Sequence, residues 1–221
     1  MPTILITGAS RGIGRELCAQ YQTDGWDVIA ACRNPADVDL GCESLALDVR
    51  DPGSVQALQR SLEGRPIDIL WNNAGVFLGR NQSLSDLDYD EWAETMLINT
   101  LAPIRIAAAL VDNVAASERR LMAFTTSRMG SIGENTGGGA YAYRSSKAAL
   151  NMACKNLSLD LAARGIAVVV LHPGWVRTDM GGAQAAIDTA TSVTGMRQTV
   201  DGLGVEATGR FLNYDGGELT W

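Results

Sequence analysis

The sequence predicts a single α/β domain of the doubly wound type, in which a parallel sheet of about seven strands carries helices on both faces. Short apolar segments of strand length alternate with helical segments of roughly 10 to 15 residues, which is the pattern of βαβ units. A glycine-rich turn also follows the first apolar segment directly. The chain has 221 residues, which is enough for one such domain over residues 1–221 and few for two.

The strands are predicted from short apolar or β-branched runs that end at turn residues. In chain order they are Thr3–Thr7, Asp27–Cys32, Ser44–Val49, Ile67–Trp71, Leu121–Thr126, Ile166–Leu171 and Phe211–Tyr214. Gly8 ends the first strand, and Pro173 with Gly174 ends the sixth. Because the strands alternate with helices, we expect their carboxyl ends to share one edge of the sheet, where such folds bind ligands.

The helices are predicted from helical periodicity and from N-terminal signals such as Asp51 followed by Pro52. They cover about Ile13 to Thr23, Asp51–Glu63, Asp90 to about Val114, and a stretch after Gly139 that contains Tyr143. The segment Gly181–Ala207 is either helical or mobile, and no element within it is predicted.

Charge and hydropathy exclude two classes of partner. A net charge of -7 and a pI near 4.7 are unlike those of a nucleic-acid-binding surface, which requires a basic stripe. The longest apolar run, Ile166–Leu171, is far below the ~20 residues of a membrane span. The chain begins with Met1, Pro2 and a strand pattern, without a basic leader, so a cytoplasmic location is expected.

The cysteines and the single histidine do not indicate a metal site. No CxxC pair occurs among Cys18, Cys32, Cys42 and Cys154. A zinc-type site needs several cysteine or histidine ligands close together, so no such metal site is predicted. We expect four buried, reduced thiols and a structural role for His172, although it adjoins a Pro-Gly turn.

The first glycine-rich turn, Thr7–Gly14, reads TGASRGIG and lies between the first strand and the first helix. Glycines let a backbone approach a pyrophosphate closely, and the amides at a helix N-terminus favour an anion. This position favours a phosphate-binding turn over an ordinary glycine-rich turn. The turn residues predicted to contact a dinucleotide are Gly8, Ser10, Arg11, Gly12, Ile13 and Gly14.

Tyr143 and Lys147 are four residues apart in YRSSK and therefore share one face of the predicted helix. A neighbouring ammonium favours the phenolate and lowers the pKa of a tyrosine from its usual value near ~10. Such lowering would make Tyr143 an efficient general acid and base at neutral pH. On its own, the same spacing also fits an exposed tyrosine and lysine on a solvated helix face.

The three segments TGASRGIG, NNAG at 72–75 and YRSSK resemble, in order, the motifs of the short-chain dehydrogenase/reductase family. The resemblance covers essentially the whole chain. It implies a Rossmann-type fold that binds NAD(P) and exchanges hydride with a carbonyl or alcohol. It implies that Gly8, Gly12 and Gly14 hold the pyrophosphate. Further cofactor contacts are implied at Asp48 and Val49, at Asn73, Ala74 and Gly75, and at Pro173, Gly174, Val176 and Thr178.

The cofactor is predicted from the charge at the end of the second strand. An NAD enzyme usually has an acid there that bonds the ribose 2′-hydroxyl and would repel a 2′-phosphate. This chain has Cys32 instead, and the guanidinium groups of Arg33 and Arg11 are suited to hold a phosphate. NADP(H) is therefore predicted as the preferred cofactor, and NAD(H) is possible. If both arginines only face solvent, the preference for NADP(H) is weak.

By the same resemblance, Tyr143 donates a proton in reduction and accepts it in oxidation, while Lys147 lowers its pKa and bonds the nicotinamide ribose. Ser127 would hold the substrate oxygen. Ser131 is the alternative, because the interval from Ser127 to Tyr143 is longer than the family's usual spacing. Asn99 would support a water that links Lys147 to solvent, or would simply cap or bridge a helix.

The segments GGGAYAYRSSKAALN, LHPGWVRTDMGG and FLNYDGGELTW resemble the C-factor and sniffer-type carbonyl reductases. This implies NADPH-dependent reduction of an aldehyde, ketone or quinone, and an NADP-binding sensor or signalling protein is the alternative. Phe77, Met129, Trp175 and Met180 are predicted either as substrate walls or as core residues. The resemblance also implies a homodimer or homotetramer, with Trp221 against a neighbouring subunit.

Overall fold

The computed structural model describes residues 1–221 and has the predicted doubly wound architecture. The strands are β1 Thr3–Thr7, β2 Asp27–Cys32, β3 Glu43–Ala46, β4 Ile69–Asn72, β5 Leu121–Thr125, β6 Ala167–His172 and β7 Arg210–Asn213. They form one sheet in the order β3-β2-β1-β4-β5-β6-β7, and every neighbouring pair is parallel. The strand order reverses between β1 and β4, which creates a crevice at their carboxyl ends.

Seven helices cover the two faces of this sheet. They are α1 Gly12–Thr23, α2 Pro52–Ser61, α3 Tyr89–Met96, α4 Ala102–Ala109, α5 Val111–Ala115, α6 Tyr141–Asp160 and α7 Thr189–Asp201. None of them is long and apolar enough to cross a membrane.

Each face of the sheet has its own buried apolar cluster. Ile4 and Ile6 of β1 pack with side chains of α1 and α7, whereas Leu5 between them packs with α2, α4, α5 and α6. This follows because successive side chains of a strand point to opposite faces. Burial on both faces explains why β1 is apolar throughout rather than alternating.

The third predicted strand, Ser44–Val49, is shorter in the structure and ends at Ala46. The Leu47 amide still donates to the Cys32 carbonyl at 2.8 Å, but the Asp48 amide donates to Ser54 Oγ at 3.0 Å. The chain therefore leaves the sheet at Asp48, which brings Asp48 to the rim of the crevice.

The prediction of one continuous helix from Asp90 to about Val114 is wrong. A π-helical turn, Leu97–Leu101, separates α3 from α4, and a further break separates α4 from α5. Pro103 has no amide hydrogen, so it cannot donate the α-helical bond to the Asn99 carbonyl. Turns of this kind occur often at functional sites.

The segment Gly181–Ala207, for which no element was predicted, contains α7. The Asp188 carboxylate caps this helix by accepting a hydrogen bond from the Thr191 amide at 2.8 Å. Val193, Met196 and Val200 are buried against the sheet. Their spacing of three and four residues is the helical signal in this segment.

The prediction of four buried thiols holds at three positions and is wrong at Cys42. All four cysteines are free, and Cys42 is only half-buried. It lies immediately before β3, which is the edge strand of the sheet, and an edge position leaves one side open to solvent.

Candidate active site

A cleft of about 540 Å³ opens where the carboxyl ends of the central strands meet. The predicted site residues that line it are Gly8, Ser10, Arg11, Gly12, Ile13, Arg33, Asp48, Val49, Asn73, Ala74, Gly75, Tyr143, Lys147, Pro173 and Thr178. The predicted site residues outside its lining are Gly14, Asn99, Ser127, Gly174 and Val176. The fold thus brings the glycine turn and the tyrosine-lysine pair to one cleft.

The glycine turn packs so closely that side chains are excluded from it. A Cβ atom at Gly8 would lie 2.8 Å from the Ala74 Cα, and the φ of Gly8 is +68°. A Cβ atom at Gly14 would lie 2.2 Å from the Gly8 carbonyl oxygen and 2.8 Å from Asn73 Nδ2. Gly14 therefore allows α1 to pack against the turn, and does not itself line the cleft.

The N-terminus of α1 differs from those of α2, α3 and α7. Each of those helices follows an aspartate whose carboxylate accepts hydrogen bonds from amides of the first turn. Helix α1 follows Arg11, and no side chain caps it. Its first amides and its positive dipole end are therefore available to an anion at the cleft, as the pyrophosphate of a dinucleotide requires.

The NNAG segment is held against this turn by Thr7. Thr7 Oγ1 accepts hydrogen bonds from the amides of Asn73 and Ala74 at 3.0 and 3.2 Å. The Asn73 side chain donates from Nδ2 to the Thr7 carbonyl at 3.2 Å. These bonds fix the position of the NNAG segment relative to the glycine turn.

Asn99 lies in the π-helical turn and is fully buried. Its Oδ1 accepts from the Val76 amide at 2.9 Å, and its Nδ2 donates to the Val76 carbonyl at 2.9 Å and to Ser146 Oγ at 3.0 Å. The side chain therefore bridges the segment after β4 to α6. This geometry favours the bridging alternative for the Asn99 side chain.

Tyr143 and Lys147 lie in the first two turns of α6 and are almost inaccessible, with exposures of 7% and 4%. Lys147 Nζ lies 5.8 Å from the centroid of the Tyr143 ring and donates to the Thr125 carbonyl at 2.9 Å. The reading of this pair as an exposed, solvated helix face is therefore wrong.

Burial raises the pKa of Tyr143, and the Ser127 hydroxyl and the Arg80 guanidinium partly oppose this. The expectation that Lys147 lowers this pKa is not met in the free protein, because burial dominates and the Lys147 ammonium is directed to Thr125. A raised pKa keeps the phenol protonated at neutral pH. Tyr143 is thus held in the state that donates a proton.

Burial lowers the pKa of Lys147 from 10.5 to about 8, so the folded chain releases this proton more readily than the unfolded chain. Between these two values the unfolded chain binds more protons, and stability should rise with pH. Between about pH 7 and pH 9.5, the unfolding free energy of the wild type should rise by roughly 2 kcal/mol relative to Lys147→Met.

Urea unfolding of both proteins at the two pH values measures this change. The comparison with Lys147→Met cancels the titration of other groups that both proteins share. If the difference in unfolding free energy between the wild type and Lys147→Met stays constant with pH, the claim that burial lowers the pKa of Lys147 is contradicted.

Ser127 and Ser131 occupy different surroundings. The Ser127 hydroxyl lies beside the Tyr143 phenol, where its hydrogen bond partly opposes the rise in the pKa of Tyr143 that burial causes. Ser127 Oγ also accepts from the Met129 amide at 3.1 Å. Ser131 Oγ donates to the Trp221 carbonyl at 3.3 Å and accepts from the Glu134 amide at 3.1 Å. Of the two serines, the geometry favours Ser127 as the partner of Tyr143.

Of the four predicted wall residues, only Met180 lines the cleft. Phe77 stacks on the Tyr143 ring with centroids 4.1 Å apart, and the Arg80 guanidinium lies 4.5 Å over Phe77. Arg80 Nη2 also donates to the Met180 carbonyl. Trp175 is mostly exposed and donates to the Gly181 carbonyl, so it is not a core residue.

Arg50 and Glu94 line the cleft beside Asp48 and were not predicted. Arg50 Nη2 lies 2.8 Å from Asp48 Oδ2, and Arg50 Nη1 lies 3.3 Å from Glu94 Oε1. Hydrogen bonding from Arg50 lowers the pKa of Asp48, and the charge of Arg33 acts in the same direction. Arg50 follows Asp48 by two residues, and this proximity was the only sequence signal for it.

The two arginines predicted to hold a phosphate differ in their partners. Arg33 is exposed at the cleft and forms no ion pair. Arg11 Nη1 lies 2.5 Å from Asp179 Oδ2, across the mouth of the cleft. Asp179 was not predicted, because 168 residues separate it from Arg11.

Neither His172 nor Trp221 lines the cleft. Burial lowers the pKa of His172 to about 4, so the ring is neutral at neutral pH. The ring centroids of Trp221 and Phe211 lie 5.4 Å apart. The Trp221 carbonyl accepts a hydrogen bond from the Gly133 amide at 3.1 Å. Within its own chain, Trp221 therefore packs against Phe211 of β7.

The amino-acid sequence is similar to those of known proteins. A family model described as short chain dehydrogenase matches residues 2–188. The C-signal protein of Myxococcus xanthus is 50% identical over 156 residues, which cover 71% of this chain and 93% of that protein. The 1-hydroxy-2-glutathionyl-2-methyl-3-butene dehydrogenase of Rhodococcus sp. strain AD45 is 37% identical over 100% of both chains.

Solved structures agree with these sequence matches. Carbonyl reductase Sniffer of D. melanogaster superposes with a TM-score of 0.93 and 35% identity, over 100% of both chains. The NADPH-bound carbonyl reductase from chicken fatty liver superposes with a TM-score of 0.91 and 30% identity, over 100% of this chain and 99% of that one.

Proposed function

The chain belongs to the short-chain dehydrogenase family, and from that premise we propose that it is an NADPH-dependent reductase of aldehydes, ketones or quinones. The observation that carries this proposal is one cleft in which the phosphate-binding turn and the buried Tyr143-Lys147 pair meet. Both solved structures described above are named carbonyl reductases, and one of them was solved with NADPH bound.

The residues of the cleft fit a dinucleotide phosphate. The uncapped N-terminus of α1 faces the pyrophosphate position, and Gly8 and Gly12 leave room for it. Asp48 and Val49 would hold the adenine, with Arg33 and Arg11 on the 2′-phosphate. Asn73, Ala74 and Gly75 would line the adenosine side, and Pro173 and Thr178 would cover the nicotinamide.

When bound, the nicotinamide supplies the hydride that reduces the carbonyl carbon. Ser127 would donate a hydrogen bond to the carbonyl oxygen, where negative charge develops. Tyr143, which burial holds protonated, would then deliver its proton to that oxygen. Lys147 would stabilise the phenolate that remains and bond the ribose, because it is the buried ammonium nearest to the Tyr143 ring.

Turnover with a panel of carbonyl compounds tests this function. The protein is mixed with NADPH or NADH, then with isatin, a quinone or an aromatic aldehyde, and the absorbance of the reduced nicotinamide is followed. We expect loss of absorbance with NADPH, and slower loss with NADH. A protein that binds NADPH tightly but reduces none of these compounds would contradict the reductase and favour the sensor.

A sensor or signalling role without turnover is not favoured. Such a protein would not need to retain Ser127, Tyr143 and Lys147 in one buried arrangement. The similarity to C-signal does not by itself assign a signalling role to this chain. The arrangement of Ser127, Tyr143 and Lys147 supports an enzyme.

Arg33→Gln should weaken NADPH binding by about tenfold and change NADH binding by less than about twofold. The reason is that only NADPH carries the 2′-phosphate, to which a guanidinium contributes a charge-assisted hydrogen bond. Fluorescence titration with both cofactors measures the effect. Arg15→Gln is the matched control, because Arg15 is exposed, unpaired and outside the cleft. Equal losses for both cofactors would contradict the role of Arg33.

We also propose a cytoplasmic homo-oligomer, a dimer or a tetramer. Met152 and Leu159 support this assembly, because they are exposed and lie seven residues apart on one face of α6. Light scattering during gel filtration gives the mass in solution, and a monomer at high protein concentration would contradict the assembly.

A further inference from the structure

The Arg11-Asp179 ion pair joins the two walls of the cofactor cleft. Arg11 belongs to the glycine turn, whereas Asp179 belongs to the segment after β6 that contains Thr178. Arg11 Nη1 donates to Asp179 Oδ2 at 2.5 Å, and both residues line the cleft. A dinucleotide bound in this cleft would therefore contact both the glycine turn and the segment after β6, next to the ion pair.

The pair is exposed and so can open readily. The side chains of Arg11 and Asp179 are 73% and 78% exposed. Ion pairs in water are weak, because solvent screens their attraction and the side chains lose freedom by pairing. Neither side chain is held by another salt bridge, so breaking this contact frees Arg11 completely.

Arg33, which follows β2, differs from Arg11 in having no ion-pair partner. It lines the same cleft and has no acidic partner within ion-pair distance. Of the two guanidinium groups suited to a 2′-phosphate, one is free and the other is held by a carboxylate. Asp179 therefore occupies Nη1 of Arg11, and a phosphate that takes this position must displace Asp179.

We propose that Asp179 sets the preference between NADPH and NADH by competing with the cofactor's 2′-phosphate for Arg11. The inference rests on the proposed function in so far as the cleft must bind NADP(H). NADH has no 2′-phosphate and leaves the Arg11-Asp179 pair closed. NADPH opens the pair, because a phosphate close to dianionic offers Arg11 a stronger charge-assisted bond than one carboxylate does. The free energy needed to open the pair therefore weakens NADPH binding and does not affect NADH binding.

Asp179→Asn tests the competition, because asparagine keeps the size of the side chain and removes its charge. We expect NADPH to bind about two- to fivefold more tightly to this variant, with NADH affinity unchanged. Fluorescence titration with each cofactor measures dissociation constants without any turnover. The ratio of the NADH to the NADPH dissociation constant should rise by the same factor.

Arg11→Gln supplies the matched background. In this background the competition is absent, so Asp179→Asn should have no further effect on NADPH binding. A purely long-range effect of the Asp179 charge on the phosphate would instead persist without Arg11. The double-mutant cycle separates these two causes.

Three results would overturn the inference: unchanged NADPH affinity in Asp179→Asn, tighter binding of NADPH and NADH alike, or tighter NADPH binding that persists in the Arg11→Gln background. A wild-type protein that binds neither cofactor would instead overturn the proposed function. The two failures are therefore distinguishable in one set of titrations.

Discussion

Tyr143→Phe should lower kcat for carbonyl reduction by about 10²- to 10⁴-fold, while NADPH affinity stays within about twofold of the wild type. The substitution removes only the hydroxyl that delivers the proton. The ring remains, and with it the stacking on Phe77 at a centroid distance of 4.1 Å. The fold should therefore be unchanged, and the loss should appear in kcat rather than in binding.

Steady-state reduction of isatin with NADPH measures this effect, and a fluorescence titration measures the cofactor affinity. Tyr141→Phe is the matched control, because Tyr141 begins the same helix and lies outside the cleft lining. The control should keep wild-type kcat. A Tyr143→Phe variant that retains more than about a tenth of the wild-type kcat would exclude Tyr143 as the proton donor.

Gly14→Ala should destabilise the fold on the order of 3 kcal/mol and remove measurable NADPH binding. The added Cβ would lie 2.2 Å from the Gly8 carbonyl oxygen and 2.8 Å from Asn73 Nδ2. Both contacts are far inside van der Waals distance, so α1 must move away from the turn. Its N-terminal amides would then no longer face the pyrophosphate position.

Urea unfolding and cofactor titration together test this prediction. Gly202→Ala is the control, because Gly202 immediately follows α7 and has a φ of -83°, where an alanine fits without strain. An added Cβ there meets nothing closer than 3.8 Å. Wild-type stability of Gly14→Ala would contradict the close packing of α1 on the glycine turn.

Local sequence patterns predicted the central part of the fold. β1, the glycine turn and α1 follow from an apolar run, a set of glycines and a helical period that all lie within the first 23 residues. The pairing of Tyr143 with Lys147 follows from helix geometry alone. Features of this kind are encoded in adjacent residues and can be read without the tertiary structure.

The features that prediction missed depend on contacts between distant segments. The Arg11-Asp179 pair spans 168 residues, and the Arg50-Glu94 contact spans 44. The π-helical turn at Leu97–Leu101 was also missed, although Pro103 is a local signal for a helix break. Long-range pairing of charges has no periodicity, so the sequence alone does not indicate it.

The protonation state of Tyr143 also depends on tertiary packing and could not be predicted from local sequence. Spacing predicts that Lys147 is near, but the pKa of a phenol also depends on how deeply the ring is buried. In the structure, burial raises the pKa of Tyr143, and the Lys147 ammonium donates to Thr125. The direction of the shift therefore depends on the packing of α6 against α3 and β6, which the spacing of Tyr143 and Lys147 does not reveal.

Transfer of deuterium tests the proposed reductase most directly. NADPH carrying deuterium at the reactive carbon of the nicotinamide is incubated with the protein and an aromatic aldehyde, isatin or a quinone, and the products are analysed by mass spectrometry. We predict that the alcohol formed from the aldehyde or from isatin carries one deuterium on its new carbinol carbon. Tight NADPH binding with no reduced or labelled product from any of the three compounds would contradict hydride transfer by this protein.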